Sequence, residues 1–506
     1  MALAIGIDIG TTSTIGILLD TEGVTLALAD QPTELVSERP GWAEQDPEQW
    51  WRNTCTVAAS LLRRSGRKGS EIAAVGVTGM LPAVVLLDAE DRLLRRSIQQ
   101  SDGRTGREVE EIAAEIAPTT FIRRTGNGIN QQLVAAKLRW LMKHEPQVFR
   151  RIATVFGSYD YINWRLTGEK AIEQNWALES GFVDLQSGRI APDLVELGRI
   201  AVGVVPPVRA SHEIIGQVTR AAAAATGLAA DTPVVAGCAD HVASAFVAGI
   251  REEGDLLLKF GGAGDILVAT GRPRPDPRLF LDYHIVPGLF MPNGCMACSG
   301  AVLNWIVRTF AKAEADAAAT AGETPHQRLD RLAERVPPGA DGLILLPYFL
   351  GEKTPIHDPH ARGTLVGLGL HHTIGHLWRA ALEAVVFGFR HHIEVFHELG
   401  YDVRRVVASD GGASSRIWMQ IAADALGHPM ELLHGHPGSC LGAAYVAAVA
   451  VGALDDWDGI NRFVRPAGAV EPDPSTAGAY GHAYGVFREA YGRLKPLYPN
   501  LQALQA

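Results

Sequence analysis

Asp8-Ile9-Gly10-Thr11-Thr12-Ser13 lies between the apolar runs 5–7 and 15–19. A glycine turn lets backbone N–H groups come close to a ligand because no Cβ intervenes, and adjacent hydroxyls add donors. Thr11, Thr12 and Ser13 thus make a cradle suited to phosphate oxygens. Asp8, at the strand end, is placed to hold Mg2+ through its water shell. A surface turn in which Asp8 and Thr11 satisfy local backbone groups accounts for the same residues equally well. Gly261-Gly262-Ala263-Gly264-Asp265, between the apolar runs 256–260 and 266–268, offers a second cradle. Two such turns suit a nucleoside triphosphate held in a cleft.

Ser409-Asp410-Gly411-Gly412-Ala413-Ser414-Ser415 reads as strand end, glycine turn and helix start. Gly411, Gly412 and Ala413 would offer a helix N-terminus to polar or anionic parts of a ligand. The stretch lacks G-x-G-x-x-G spacing, and the chain has no G-x-x-x-x-G-K-[ST], which excludes a dinucleotide fingerprint and a P-loop. Asp240 follows the apolar run 233–235 and a glycine turn, and precedes the helix-like run 242–249. There a carboxylate either accepts a proton from an attacking hydroxyl or caps the helix, and capping is the commoner use. Cys295-Met296-Ala297-Cys298 has no second Cys or His pair nearby and reads as small packing residues at a helix start. The pairs His371-His372 and His391-His392 lack a ligand spacing and read as ordinary polar positions.

These residues need a scaffold of alternating strands and helices, which the pattern supplies as an α/β chain. The runs 75–77 and 84–87 read as a strand pair, and 153–157 as a strand before the helix 159–166. The hairpin at 5–19 returns at 256–268, which argues for an internal duplication with a boundary near 247 and for two domains, 1–246 and 247–506. The run 311–322 reads as an exposed helix, and 472–506 as a cap on the second domain. A net charge of −10 leaves no basic field for nucleic acid or an anionic membrane, so a small molecule is the expected partner. The N-terminus carries no signal-peptide pattern, and no apolar run approaches the ~18 residues of a membrane span. Five cysteines in 506 residues make no disulfide framework, and the cytoplasm is the expected compartment.

Together the motifs resemble the FGGY carbohydrate kinases, over roughly residues 4–452. "GIDIGTTS" is similar to the first phosphate motif of that family, "KFGGAGD" to the second, and "SDGGASSRIWMQIAADALG" to the adenosine motif. "GSCLGAAYVAA", "GWAEQDPEQWW", "DYINWRLTGE" and "DPHARGTLVGLGLHH…LWRAALEAVVFGFR" resemble further landmarks of the family. The resemblance implies a duplicated ribonuclease-H-like (actin-like ATPase) fold, α/β, with two domains around a nucleotide cleft. It implies a sugar-binding N-terminal domain and an ATP-binding C-terminal one. Asp8 would organise Mg2+, and Thr11, Thr12 and Ser13 would face the ATP phosphates. Gly261, Gly262 and Ala263 would lie against ATP as well, while Gly411, Gly412 and Ala413 would border the adenosine. Asp240 matches the general base of the family rather than a cap.

In family members acting on xylulose, the sugar turn reads like S-G-Q-M-H-G; here it is Val77-Thr78-Gly79-Met80-Leu81-Pro82-Ala83. Met80 matches, and Leu81 stands nearby where the polar pair is absent. Asp102 and Arg104 match the D-x-R of the family and are expected to reach the sugar or brace the cleft, with a surface ion pair as the plainer alternative. Asn130 is a further candidate for that pocket. Ile15 replaces a basic residue found in many relatives. The implied reaction is ATP-dependent phosphorylation of D-xylulose or a related ketopentose. Gluconate, ribulose or a tetritol such as erythritol are the alternatives, and an actin-like ATPase without a sugar substrate is the alternative of another class. A homodimer is compatible with this reading.

Overall fold

A computed structural model describes residues 2–435 and 438–504. The chain folds into two compact units. The first holds the residues up to Arg251, the excursion Gly271–Met291 and a late segment ending at Val464. The second holds Glu252–Thr270, the stretch from Pro292 into the 430s, and Arg465 onward.

The first unit is built on a sheet ordered Ile214–Gln217, Pro233–Val235, Ile72–Gly79, Leu3–Ile9, Ser13–Asp20 and Thr25–Pro32, with Cys238–Ala239 also paired to Ile72–Gly79. Leu3–Ile9 is apolar and buried on both faces, as a strand inside a sheet covered from two sides must be. It runs antiparallel to Ser13–Asp20 and parallel to Ile72–Gly79, so that Asp8 stands opposite Ile15 on one side and Thr78 on the other. Cys238 pairs with Thr78 in the same parallel sense.

The helix Ser439–Ala450, made almost wholly of small residues, packs on this sheet at backbone contact. A Cβ at Gly6 would lie 1.8 Å from the carbonyl oxygen of Cys440, and one at Gly76 would lie 2.1 Å from that of Ala443. Glycine at those two strand positions is what admits the helix.

The second unit carries a sheet in the order Phe290–Met296, Gly264–Val268, Asp255–Phe260, Arg405–Ser409, Met430–Leu433 and Pro466–Val470. Asp255–Phe260 pairs antiparallel with Gly264–Val268 and parallel with Arg405–Ser409. That is the hairpin-plus-parallel-strand arrangement of the first unit again, in line with the expected duplication. The exposed helix expected at 311–322 is Lys312–Ala321, closed by Gly322 at φ +70°. Ala477–Leu494 packs on the second unit, as the reading of 472–506 anticipates.

The expected pairing of 75–77 with 84–87 does not form. Ile72–Gly79 lies between Leu3–Ile9 and Pro233–Val235, and Val85–Leu87 pairs instead with Thr154–Phe156. The intervening Met80-Leu81-Pro82 leads the chain out of the sheet, and Pro82 has no N–H for a ladder. The histidine reading also needs correction. His371 and His372 lie in the turn before the helix Ile374–Glu398, and His392, within that helix, is fully buried. Its Nδ1 and Nε2 lie 2.8 Å from the Gly388 carbonyl and the Thr354 hydroxyl, respectively. Cys298 is buried ahead of the helix Gly300–Phe310, and neither it nor Cys295 is in a disulfide. Among the described residues no helix is long and apolar enough to cross a membrane.

Candidate active site

Asp8 ends its strand partly buried, and its Oδ2 accepts a 2.6 Å hydrogen bond from Ser439 Oγ. The helix seated on Gly6 and Gly76 brings that hydroxyl to the carboxylate. Beyond Asp8 the chain turns at Gly10, whose N–H donates to Ser13 O at 3.0 Å. Gln45 Nε2 holds the Thr11 carbonyl at 2.6 Å, and Thr33 N–H holds that of Thr12 at 2.9 Å. The carbonyls of this turn are thus engaged from behind while Thr12 is exposed. Thr11 Oγ1 lies 3.6 Å from Met80 Sδ, and Met80 N–H donates to Ile9 O, so the turns at Thr11 and at Met80 are neighbours. Met80 and Leu81 are themselves 4% and 6% exposed and make an apolar wall there.

Asp240 is the first residue of the helix Asp240–Val247; the capping position is Ala239. The N-cap alternative for Asp240 therefore does not describe this structure. The parallel register explains its location. Cys238 pairs with Thr78 and Thr78 with Asp8, so the chain end carrying Asp240 emerges on the same side of the sheet as Asp8. Thr78 Oγ1 donates to Cys238 O at 2.7 Å and ties the two strands there.

Asp102 and Arg104 form a buried ion pair, with side chains 0% and 1% exposed, which overturns the surface alternative. Arg104 Nε donates to Asp102 Oδ1 at 2.8 Å and Nη2 to Oδ2 at 2.7 Å; Nη2 also lies 2.7 Å from Glu44. The guanidinium is held between the rings of Trp42, at 3.8 Å, and Trp140, at 4.8 Å. Its Nη1 is buried without a protein partner among the described residues. Asn130 is spent within its own loop, accepting from Gln132 N–H at 2.8 Å. Thr105 Oγ1 donates to Gln131 O, so that loop adjoins the Arg104 segment.

In the second unit Gly261, Gly262 and Ala263 form the hairpin turn, and its carbonyls are taken from behind. Gly261 O accepts from Gly300 N–H at 2.8 Å, and Gly262 O from Ser299 N–H at 2.8 Å. A Cβ on Gly262 would meet nothing within 4 Å, so the outer side of the turn is open. Gly261 and Gly262 share a cavity of about 570 Å3 with Gly411, Gly412, Phe260, Trp378 and Trp418. Gly412 admits no side chain, since a Cβ would come 2.5 Å from Trp418 and 2.7 Å from Phe260. Ala413 faces a neighbouring recess with Asp410 and Leu433.

Sequence reasoning missed the far wall of this cavity, which includes Asn304, Gln327 and Asp330. Asp330 Oδ1 accepts from Trp378 Nε1 and Oδ2 from Ser415 Oγ, both at 2.7 Å. A glycine turn announces itself locally; helical residues that meet only in three dimensions carry no such signal. A concave site with aromatic faces, two glycine turns and a few polar groups suits a purine nucleotide.

Residues 3–247 match the FGGY family of carbohydrate kinases, N-terminal domain, and residues 265–451 match its C-terminal domain. A solved structure of xylulose kinase from Rhodospirillum rubrum superimposes with a TM-score of 0.92 at 53% identity, covering 98% of this chain and 99% of that one. Xylulose kinase of Bacillus subtilis (strain 168) is 29% identical over 100% of both chains. L-xylulose/3-keto-L-gulonate kinase of Escherichia coli (strain K12) is also 29% identical, over 99% of this chain and 98% of its own. An actin-like ATPase with no sugar substrate gives way to these matches. With both halves matched by the two domains of one family, the chain belongs to the FGGY carbohydrate kinases and is an ATP-dependent sugar kinase.

Proposed function

We propose that this chain transfers the γ-phosphoryl group of ATP to a hydroxyl of D-xylulose or a closely related ketopentose, with Asp240 as the base. The carrying observation is the sheet register that brings Asp8 and Asp240 out on one side of the first unit. Asp240 accepts the proton of the attacking hydroxyl as its oxygen adds to phosphorus. Most of the acceleration comes from holding reactants in line and offsetting phosphate charge, because phosphoryl transfer needs little covalent help.

Asp8, fixed by Ser439 beside an amide-bearing turn, fits a hydrated Mg2+, which takes one or two carboxylates. When bound, that ion offsets the negative charge on the phosphates. Thr11, Thr12 and Ser13 on the first unit, and Gly261, Gly262 and Ala263 on the second, are assigned to the phosphates. Gly411, Gly412 and Ala413 are assigned to the adenosine side. Met80, Leu81, Asp102, Arg104 and Asn130 are assigned to the sugar side, where the buried Arg104 Nη1 supports a polar ligand.

Residues 1–246 are assigned to the sugar-binding half and 247–506 to the ATP-binding half, except that the excursion Gly271–Met291 and the late segment ending at Val464 fold into the first unit, whose first segment runs to Arg251. We place the enzyme in the cytoplasm, with a homodimer as the assembly that light scattering would test. The apolar Met80-Leu81-Pro82 turn favours one second reading, a less hydroxylated acceptor such as a tetritol. The deciding experiment is ADP release from Mg-ATP across ketopentoses, tetritols and aldonates, with Asp240→Ala alongside. Stimulation by D-xylulose that disappears in the variant supports the proposal. Stimulation by another class alone moves the assignment to that class.

A further inference from the structure

Next to Asp240 stands a residue to which the reaction as described gives no role. His241 Nδ1 lies 3.3 Å from Asp240 Oδ1, and its Nε2 lies 2.8 Å from Asp282 Oδ2. Asp282 is 0% exposed, on the excursion Gly271–Met291 that folds back into the first unit. Glu179, at the end of the helix Gln174–Glu179, completes the group; one ligand-type atom from each of Glu179, His241 and Asp282 lies within 4.8 Å of the others. The imidazole thus spans from the candidate base to a buried carboxylate, with a second carboxyl beneath.

We infer that His241 is a positioning residue for Asp240: anchored by Asp282, its imidazole fixes the plane of the Asp240 carboxylate. The inference rests on Asp240 being the base. His241 contributes two donors to the same oxygen, since its backbone N–H also reaches Asp240 Oδ1, at 2.6 Å. Two donors on one oxygen restrict rotation of the carboxylate, and a base held in line is worth far more than one that swings. Burial pulls the imidazole toward neutrality, but the Asp282 and Asp240 carboxylates outweigh it and hold its pKa well above the ordinary value. Burial and the neighbouring Asp282 charge push Glu179 well above the usual carboxylate range. Glu179, His241 and Asp282 would also attract a divalent cation, but the 2.8 Å contact between His241 and Asp282 is that of an ion-paired hydrogen bond.

The test compares His241→Ala, His241→Gln and Asp240→Ala with wild type, each checked for circular dichroism and ATP affinity. Sugar and Mg-ATP are varied across pH. His241→Ala is expected to lower kcat about 10- to 100-fold with the KM for ATP unchanged. Loss of the cation beside Asp240 should also move the acid limb of the kcat/KM profile to higher pH by about one unit. His241→Gln, which retains a neutral donor, should recover part of kcat while the limb stays shifted. Wild-type kcat and an unmoved limb in a folded His241→Ala, with Asp240→Ala inactive, would overturn the inference and leave the base standing. Full activity in Asp240→Ala would overturn both. Dependence of the wild-type rate on a tightly held metal, removed by chelation and absent in His241→Ala, would replace positioning by a metal site.

Discussion

Ser439 Oγ meets Asp8 Oδ2 at 2.6 Å across 431 residues of chain. A hydroxyl donating to a carboxylate holds it in one rotamer, and hydrogen bonds to charged groups are worth about 1.5–3 kcal/mol. Ser439→Ala is therefore expected to raise the Mg2+ concentration needed for half-maximal rate about tenfold, leaving the KM for sugar near wild type. Steady-state kinetics over a Mg2+ titration reads this directly.

Gly76 has no room for a methyl group against the Ala443 carbonyl, 2.1 Å from where it would stand. Gly76→Ala should cost about 3 kcal/mol through overpacking. It should lower the melting temperature by about 5 °C or more. Gly485→Ala, in open space on the helix Ala477–Leu494, is the control and should leave the melting temperature unchanged or raise it slightly, since Ala is the better helix former.

Asp330 joins two walls of the cavity proposed for the nucleotide, one oxygen on Trp378 and the other on Ser415. Asp330→Ala leaves both donors without their acceptor, and each orphaned donor costs about 1–3 kcal/mol. ADP binding by calorimetry should weaken about tenfold or more, while sugar binding stays unchanged.

His392 predicts how stability responds to pH. Burial holds its pKa down at about 4, even though the Gly388 carbonyl favours the protonated ring. The unfolded chain, with an ordinary histidine near pH 6.5, binds a proton before the native one does. Stability owed to this residue is thus fully present above about pH 6.5 and is lost progressively as pH falls toward 4. Chemical denaturation of wild type and His392→Gln at pH 7, 6 and 5 should give curves whose difference shrinks as pH falls. A constant difference would contradict the assignment.

What could be read in advance divides along sequence distance. Asp8 with its threonines, Gly261-Gly262 and Gly411-Gly412 are local constellations, and each lies in a turn beside an apolar strand as expected. The hydroxyl that fixes Asp8 was invisible because it arrives on a helix near the far end of the chain. Asp102 and Arg104 were legible as a pair, but their burial depends on Trp42 and Trp140, which approach from separate segments. The strand at 84–87 forms as Val85–Leu87, but its expected pairing with 75–77 does not, for a related reason: adjacency along the chain does not distinguish a hairpin from a segment that leaves the sheet at Leu81-Pro82 to find Thr154–Phe156. His241 was read past, since its partner Asp282 lies 41 positions on, within an excursion that rejoins the first unit.

The seat of Ser439–Ala450 on Gly6 and Gly76 also sets an order of events at the ribosome. At about 5–20 residues per second, the strand carrying Asp8 emerges on the order of a minute before the helix that roofs it. Through that interval one face of the first sheet lacks its native cover, and its hydrophobic surface is open to chaperones or to misplaced partners. The earliest-made half of this enzyme is therefore among the last parts to be completed, and a nascent chain stalled ahead of Ser439 would display a sticky, half-covered sheet rather than a finished first unit.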